Sequence, residues 1–147
     1  MLPLMRLRIV TVGKPKLTYA KAGWEEYFTR ISRLHQVRHI VIPDKYAYDP
    51  AYILQAVQGT TVCALEINGA EYSSEKLAEF LNKREFEAKE ISFVIGGPEG
   101  LPEEVRSAAH FQWSLGRLTL PHDLAQIVTL EALYRASTII AHLPYHR

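Results

Sequence analysis

Ile91-Ser92-Phe93-Val94-Ile95-Gly96-Gly97-Pro98-Glu99-Gly100 is the stretch from which the architecture of this chain can be read. A short, almost unbroken apolar run ends abruptly in glycine and proline. Such a run suits a strand buried on both faces, the position of a central strand in a parallel sheet. A strand of that kind needs helices above and below it, and the neighbouring sequence supplies them. Upstream, Thr60 to Ile67 predicts a strand followed by a turn at Asn68-Gly69, and Ser73 or Ser74 caps a helix to about Ala88. Further back, Arg6 to Gly13 and Val37 to Ile42 are β-branched segments. Between them Ala20, Trp24, Tyr27, Phe28 and Ile31 recur at helical spacing within Leu17 to Leu34. Asp49-Pro50 opens a short helix through Val57. Downstream, Pro102 opens a helix to about Ala109, Phe111 to Leu115 is a fifth strand, and Asp123 to Ala141 is the last helix. Strands alternate with helices throughout. The order predicts an α/β fold, a mainly parallel sheet with helices on both faces, in one domain over residues 1–147.

The last helix carries a second message. Leu124, Ile127, Val128, Leu130, Ala132, Leu133, Ala136, Ile139 and Ile140 occupy more than one helical face, so nearly all of its surface requires cover. A partner subunit is the simplest cover for the face turned away from the sheet; a central position in a monomer is the alternative.

Charge and composition narrow the partners. With 17 basic and 16 acidic residues the chain is close to neutral. That balance gives no support to a general nucleic-acid binder, so an RNA partner requires basic groups arranged locally or combined from two chains. Cys63 is the single cysteine, which fits a reducing cytoplasm. His35 and His39, and His142 and His146, have ligand-like spacing but no third donor cluster, and no metal site is expected. Met1 to Gly13 reads as a first strand rather than a signal peptide, and no run approaches the ~18 apolar residues of a membrane span. The expectation is a cytoplasmic protein.

In a parallel sheet, ligands bind beyond the C-terminal ends of the strands. Three loops fall there: Leu65 to Gly69, Gly96 to Leu101, and Gly116 to Pro121. They contain neither of the glycine fingerprints of nucleotide sites. His122, between Pro121 and a helix start, suits helix entry as well as proton transfer. Serines lack a nucleophile-elbow context. The tail Pro144-Tyr145-His146-Arg147 combines an aromatic ring, an imidazole and a guanidinium, groups able to hold a base and a phosphate.

Several blocks resemble one family. Phe93-Val94-Ile95-Gly96-Gly97-Pro98-Glu99-Gly100-Leu101, Trp113-Ser114-Leu115, Leu118-Thr119-Leu120-Pro121-His122, Leu133-Tyr134-Arg135-Ala136 and Pro144-Tyr145-His146-Arg147 stand in the order and spacing of the ribosomal RNA large-subunit methyltransferase H family, of the SPOUT superfamily. The resemblance covers the chain end to end. It implies a minimal SPOUT domain with a C-terminal trefoil knot, working as a homodimer with S-adenosylmethionine. It also implies methylation of N3 of a pseudouridine in helix 69 of 23S rRNA on the assembled ribosome. Carried over by motif, the cofactor site comprises Leu65, Gly97, Gly116, Arg117, Leu118, Thr119, Leu120 and Pro121. The candidates for assisting proton removal are His122, Tyr145, His146 and Arg147, and those for RNA contact are Arg135, Tyr145, His146 and Arg147. Three positions depart from the commoner pattern: Gly116 where serine is frequent, Gln126 where a basic RNA-contacting residue is frequent, and Leu143 before Pro144. Two rival functions are a non-catalytic ribosome-associated RNA-binding protein of the same fold and a methyltransferase acting on another RNA, such as a transfer RNA.

Overall fold

The computed structural model describes residues 5–87 and 89–147. Its elements run β1 (Arg6–Val12), α1 (Thr18–Ser32), β2 (Gln36–Ile42), α2 (Pro50–Ala56), β3 (Thr61–Glu71), α3 (Ser74–Glu85), β4 (Ile91–Ile95), α4 (Glu103–Ala108), β5 (Phe111–Ser114) and α5 (His122–Ile140). Met1 to Leu4 of the expected first segment, and Ala88 at the expected end of the third helix, lie outside the described residues.

The five strands form one sheet in the order β2-β1-β4-β3-β5, and every pairing is parallel. β4 sits in the middle, and all five of its residues are buried. Its alternation sorts the core into two layers. Ile91, Phe93 and Ile95 pack with Leu7, Ile9 and Cys63 under α1, α3 and α5. Val94 packs with Val10, Val12, Val62 and Ala64 under α2 and α4. Consecutive strand residues point to opposite faces, so a strand covered on both sides must be apolar at nearly every position. Ser92, the polar exception, exchanges a 2.7 Å hydrogen bond with Thr60 in the interior.

The helix starts follow local chemistry. Asp49 accepts from the Tyr52 amide at 3.2 Å ahead of Pro50, and Ser73 accepts from the Lys76 amide at 3.1 Å, so Ser73 is the cap of α3. Asp123, in the first turn of α5, reaches across to another element: its buried carboxylate accepts from the Lys16 and Leu17 amides, both at 2.8 Å. Those amides precede α1 and have no partner within that helix. The contact ties α5 to the loop leaving β1.

One expectation fails in β3. Asn68-Gly69 makes no chain-reversing turn; the strand continues to Glu71 through an irregularity in which Leu65 and Ala70 both pair with Trp113. The extra residues bulge out between two points of attachment to the same partner. Gly69 permits the return, because a Cβ there would lie 2.6 Å from the Gln112 backbone.

At the N-terminal end of the strands, Arg8 donates to both oxygens of Glu90, at 3.1 and 2.8 Å, and to the Ala56 carbonyl at 2.8 Å. Burial alone would raise the Glu90 carboxyl, but the hydrogen bond and charge of Arg8, helped by Arg38, outweigh it and hold the carboxyl below its usual range. The pair links β1, β4 and the end of α2. No helix among the described residues is long and apolar enough to cross a membrane.

Two histidines are built into this frame as neutral groups. His35 shares a 2.7 Å hydrogen bond with Ser137, whose hydroxyl donates to the Leu133 carbonyl, so the imidazole is the donor. His39 meets the Thr11 hydroxyl at 2.8 Å beneath the Trp24 ring. Burial pushes His35 down to about 4, and burial with the nearby Lys14 charge does the same for His39. Both folded values lie below the unfolded value of 6.5. Their contribution is therefore complete above that value and is lost as pH falls towards the folded value. The urea midpoint should hold steady above about pH 7 and decline progressively towards about pH 5. A midpoint unchanged across that interval, followed by tryptophan fluorescence, would refute neutral burial of these two groups.

Candidate functional site

Beyond the C-terminal ends of β3, β4 and β5 lies an open cleft of about 200 Å³. Leu65 and Glu66 form one wall, Ile95, Gly96, Gly97 and Pro98 the floor and rim, and Trp113, Leu115, Gly116, Leu118, Thr119 and Leu120 the other wall. Six of the residues expected at a cofactor site are thus brought together: Leu65, Gly97, Gly116, Leu118, Thr119 and Leu120. Arg117 is exposed and does not line the cleft, and Pro121 lines a neighbouring one. Glu66 falls within the Leu65 to Gly69 loop already placed at the strand ends, whereas Ile95, Trp113 and Leu115 were not singled out as site residues, because they sit within or beside strands and read there as core.

Two glycines shape the cleft by different means. At Gly96 a Cβ would lie 2.7 Å from the Gly100 backbone, so the loop folds back only because no side chain is there. The loop closes with the Gly100 amide donating to the Gly97 carbonyl at 2.9 Å. At Gly116 the φ angle is +127°, a conformation that L side chains rarely adopt. The Ser114 hydroxyl braces this turn, accepting from the Gly116 amide and donating to its carbonyl, both at 3.1 Å. Glycine at 116 therefore meets a backbone requirement.

A second, larger cleft of about 540 Å³ lies at the ends of β1 and β2, on the other side of the Gly97-Pro98 loop. Val12, Lys14, Lys16, Asp44, Tyr48, Pro121 and His122 line it, and Pro98 faces both clefts. His122 stands 2.8 Å from the Val12 carbonyl through Nε2. A carbonyl only accepts, so Nε2 carries the proton and Nδ1 is the nitrogen left for proton transfer. Gln126, standing where a basic RNA-contacting residue is frequent, is fully buried with its side-chain amide 3.0 Å from the same Nε2, which, being protonated, can be met there only by the amide oxygen. It stands on the covered face of α5, where a basic group would be desolvated, and it touches no solvent.

The tail is docked rather than free. Tyr145 donates to Glu131 at 3.0 Å and meets the Tyr27 hydroxyl at 3.3 Å. Its ring packs against Tyr134, with the Arg135 guanidinium 4.7 Å from its centroid. Burial, then the hydrogen bonds with Tyr27 and to Glu131, push its hydroxyl well up from the usual range. Arg135 is held by Glu131 at 2.8 Å, and His146 bridges Arg135 at 3.2 Å and Glu75 at 2.8 Å. Arg147 is exposed, with no partner among the described residues. From His122 to Glu131 the helix rises roughly 13 Å. Within one chain, then, the tail lines neither cleft. No group of three or more His, Cys, Asp or Glu among the described residues is placed to hold a metal.

A parallel sheet with its cleft at the strand ends, floored by a doubled-back glycine loop, matches a known class. The family described as "Predicted SPOUT methyltransferase" matches residues 5–146, and the chain belongs to it. Relatives named ribosomal RNA large subunit methyltransferase H are similar over nearly the whole length. One from Deinococcus deserti is 46% identical over 97% of this chain and 100% of its own, and one from Acinetobacter baumannii is 39% identical over 97% and 99%. Among solved structures, a probable methylase family protein from Haemophilus influenzae has a TM-score of 0.62 at 16% identity, covering 95% of this chain and 69% of that one. A tRNA (m1G37) methyltransferase from Aquifex aeolicus has a TM-score of 0.55 at 18% identity, covering 95% and 71%. These two likenesses concern the fold.

The glycines give a direct test of the first cleft. Gly96→Ala forces a methyl into the returning backbone, and Gly116→Ala strains the far wall, while a Cβ at Gly97 meets only ordinary contacts at 3.4 Å and beyond. Calorimetry should show S-adenosylmethionine affinity falling at least tenfold in Gly96→Ala and Gly116→Ala, and by less than threefold in Gly97→Ala. Equal affinity in all three folded variants would remove these loops from the site.

Proposed function

We propose that the protein transfers a methyl group from S-adenosylmethionine to N3 of a pseudouridine in helix 69 of 23S rRNA on assembled ribosomes, as a cytoplasmic homodimer. The observation carrying this reading is the first cleft, assembled from the loops that the resemblance assigns to the cofactor, in a chain matched almost end to end by methyltransferase H relatives. The knotted C-terminal topology belongs to the same reading.

The residues present fit the cofactor. Leu65, Ile95, Leu115 and Leu120 offer apolar walls to a flat ring, and the backbone of residues 96–100 and 116–120 offers donors and acceptors to its edge. Glu66, which also lines the cleft, is an acceptor suited to hydroxyls or to positive charge. When bound, S-adenosylmethionine supplies an electrophilic methyl group on a sulfonium. The chain's own task is positioning: holding the acceptor ring close and in line, and excluding water. The acceptor nitrogen also carries a proton that must leave. His122 through Nδ1, and His146 and Arg147 from the tail, are the groups we assign to receive that proton or stabilise the charge left behind. Tyr145 and Arg135 serve the RNA indirectly, by holding the tail in place.

Dimerisation reconciles the distant tail with the cleft. α5 buries Gln126, Thr129, Leu130, Leu133, Ala136 and Ser137 within its own chain, leaving Leu124, Ile127 and Val128 only half covered. Leu17 and Tyr19 at the start of α1 and Leu118 beside the cleft are exposed. A second copy laid on these residues covers them and carries its tail to the cleft of the first.

Removing Tyr145 to Arg147 should cost about 1–3 kcal/mol of stability through the lost hydrogen bonds, and lower methyl transfer by orders of magnitude. The tail-deleted chain and a Gly96→Ala chain, each impaired alone at limiting S-adenosylmethionine, should regain activity when co-expressed as heterodimers, since one composite site is then intact. Single-turnover methylation of ribosomes reads the outcome. Heterodimers as inactive as their parents would count against a shared site, and full turnover by the tail-deleted protein would remove the tail from the reaction.

A further inference from the structure

The second cleft carries chemistry that neither the fold nor the cofactor site uses. Lys14 and Lys16 stand exposed at its mouth, on the loop leaving β1. Lys16 has one ionic partner, Asp44, at 3.4 Å, with both side chains mostly in solvent. Such a pair is weak and readily exchanged for a phosphate. Asp123, the other acid lining the cleft, is buried and held through one oxygen by two backbone amides. A cluster of rings follows on the same edge. Tyr48 is 49% exposed, and Tyr46 stacks on Tyr52 at 4.1 Å with Lys45 over its outer side. The Tyr48 hydroxyl accepts from the Glu99 amide at 3.3 Å, which leaves its ring standing between the second cleft and the glycine loop of the first.

Exposed rings interleaved with lysines, beside a methyl-donor cleft, are the recognition chemistry of single-stranded RNA: bases stack on aromatic faces and phosphates pair with cations. The need is real in this chain. Net charge is near neutral, and the tail's aromatic ring is already packed against Tyr134 and Arg135. We infer that the second cleft receives the acceptor strand of the RNA, with Tyr48 as a stacking platform for a base and Lys14 and Lys16 as phosphate contacts. This rests on the methyltransferase reading for its substrate, but it is tested separately by binding.

The test compares the wild type with the double variant Lys14→Gln/Lys16→Gln, Tyr48→Ala and Tyr48→Phe, using assembled ribosomes and S-adenosylmethionine as separate probes. In the double variant, ribosome affinity should fall at least tenfold, and the slope of log affinity against log salt should flatten by about 1.4, two phosphates at ~0.7 each. Affinity for S-adenosylmethionine should stay within twofold. Tyr48→Ala should weaken ribosome binding about tenfold, whereas Tyr48→Phe, which keeps the ring and loses the Glu99 contact, should bind ribosomes like the wild type. An unchanged salt slope in the double variant overturns the assignment. So does a Tyr48→Ala protein that loses cofactor and ribosome affinity together, since Tyr48 would then only support the loop. If the wild type binds ribosomes through these residues but transfers no methyl group, the enzymatic reading falls and the cleft assignment stands.

Discussion

Every other element of this protein is arranged by the burial of β4 on both faces and both edges. A strand in that position has no solvent-facing side, so its residues must be apolar and its backbone must be paired in both directions. β1 and β3 supply the pairing, and the two helical layers supply the cover. The chain leaving β4 therefore emerges at the middle of the sheet, at the place where loops from both sides converge. That the glycine loop floors one cleft and divides it from a second follows from this central position.

Much of this was legible beforehand because it depends on local patterns. The continuous run at 91–95, the helical spacing from Ala20 to Ile31, the Asp49 cap and a serine cap at 73 or 74 are signals confined to a few neighbouring residues. Contacts that join distant residues were not legible. Nothing in the sequence around Asp123 announces that its carboxylate serves the amides of residues 16 and 17, and nothing around His122 announces that it meets the Val12 carbonyl. The Asn68-Gly69 dipeptide misled for the same reason. It is a strong turn signal when only neighbours are considered, and it was overridden by pairing to a strand more than 40 residues later.

The candidate site shows the same division. The three strand-end loops could be placed together because the position of ligand sites in parallel sheets is a rule of topology. The tail was recognisable as chemically rich, but its docking onto α1, α3 and α5 depends on Tyr27, Glu75 and Glu131 meeting in space. Stability and chemistry are also separated along the strands. The Arg8–Glu90 pair binds the sheet at one end, and both clefts open at the other.

The irregularity in β3 bears on how such a cleft can diversify. Leu65 and Ala70 attach to the same residue of β5, so the chain between them is a clasp pinned at both ends. Ile67 and Asn68, the exposed residues of this clasp, can change in character without displacing Trp113 or shifting the ladder beyond. The rim of the cleft is in this sense an interchangeable part: new contacts can be tried there while the sheet beneath remains as it was.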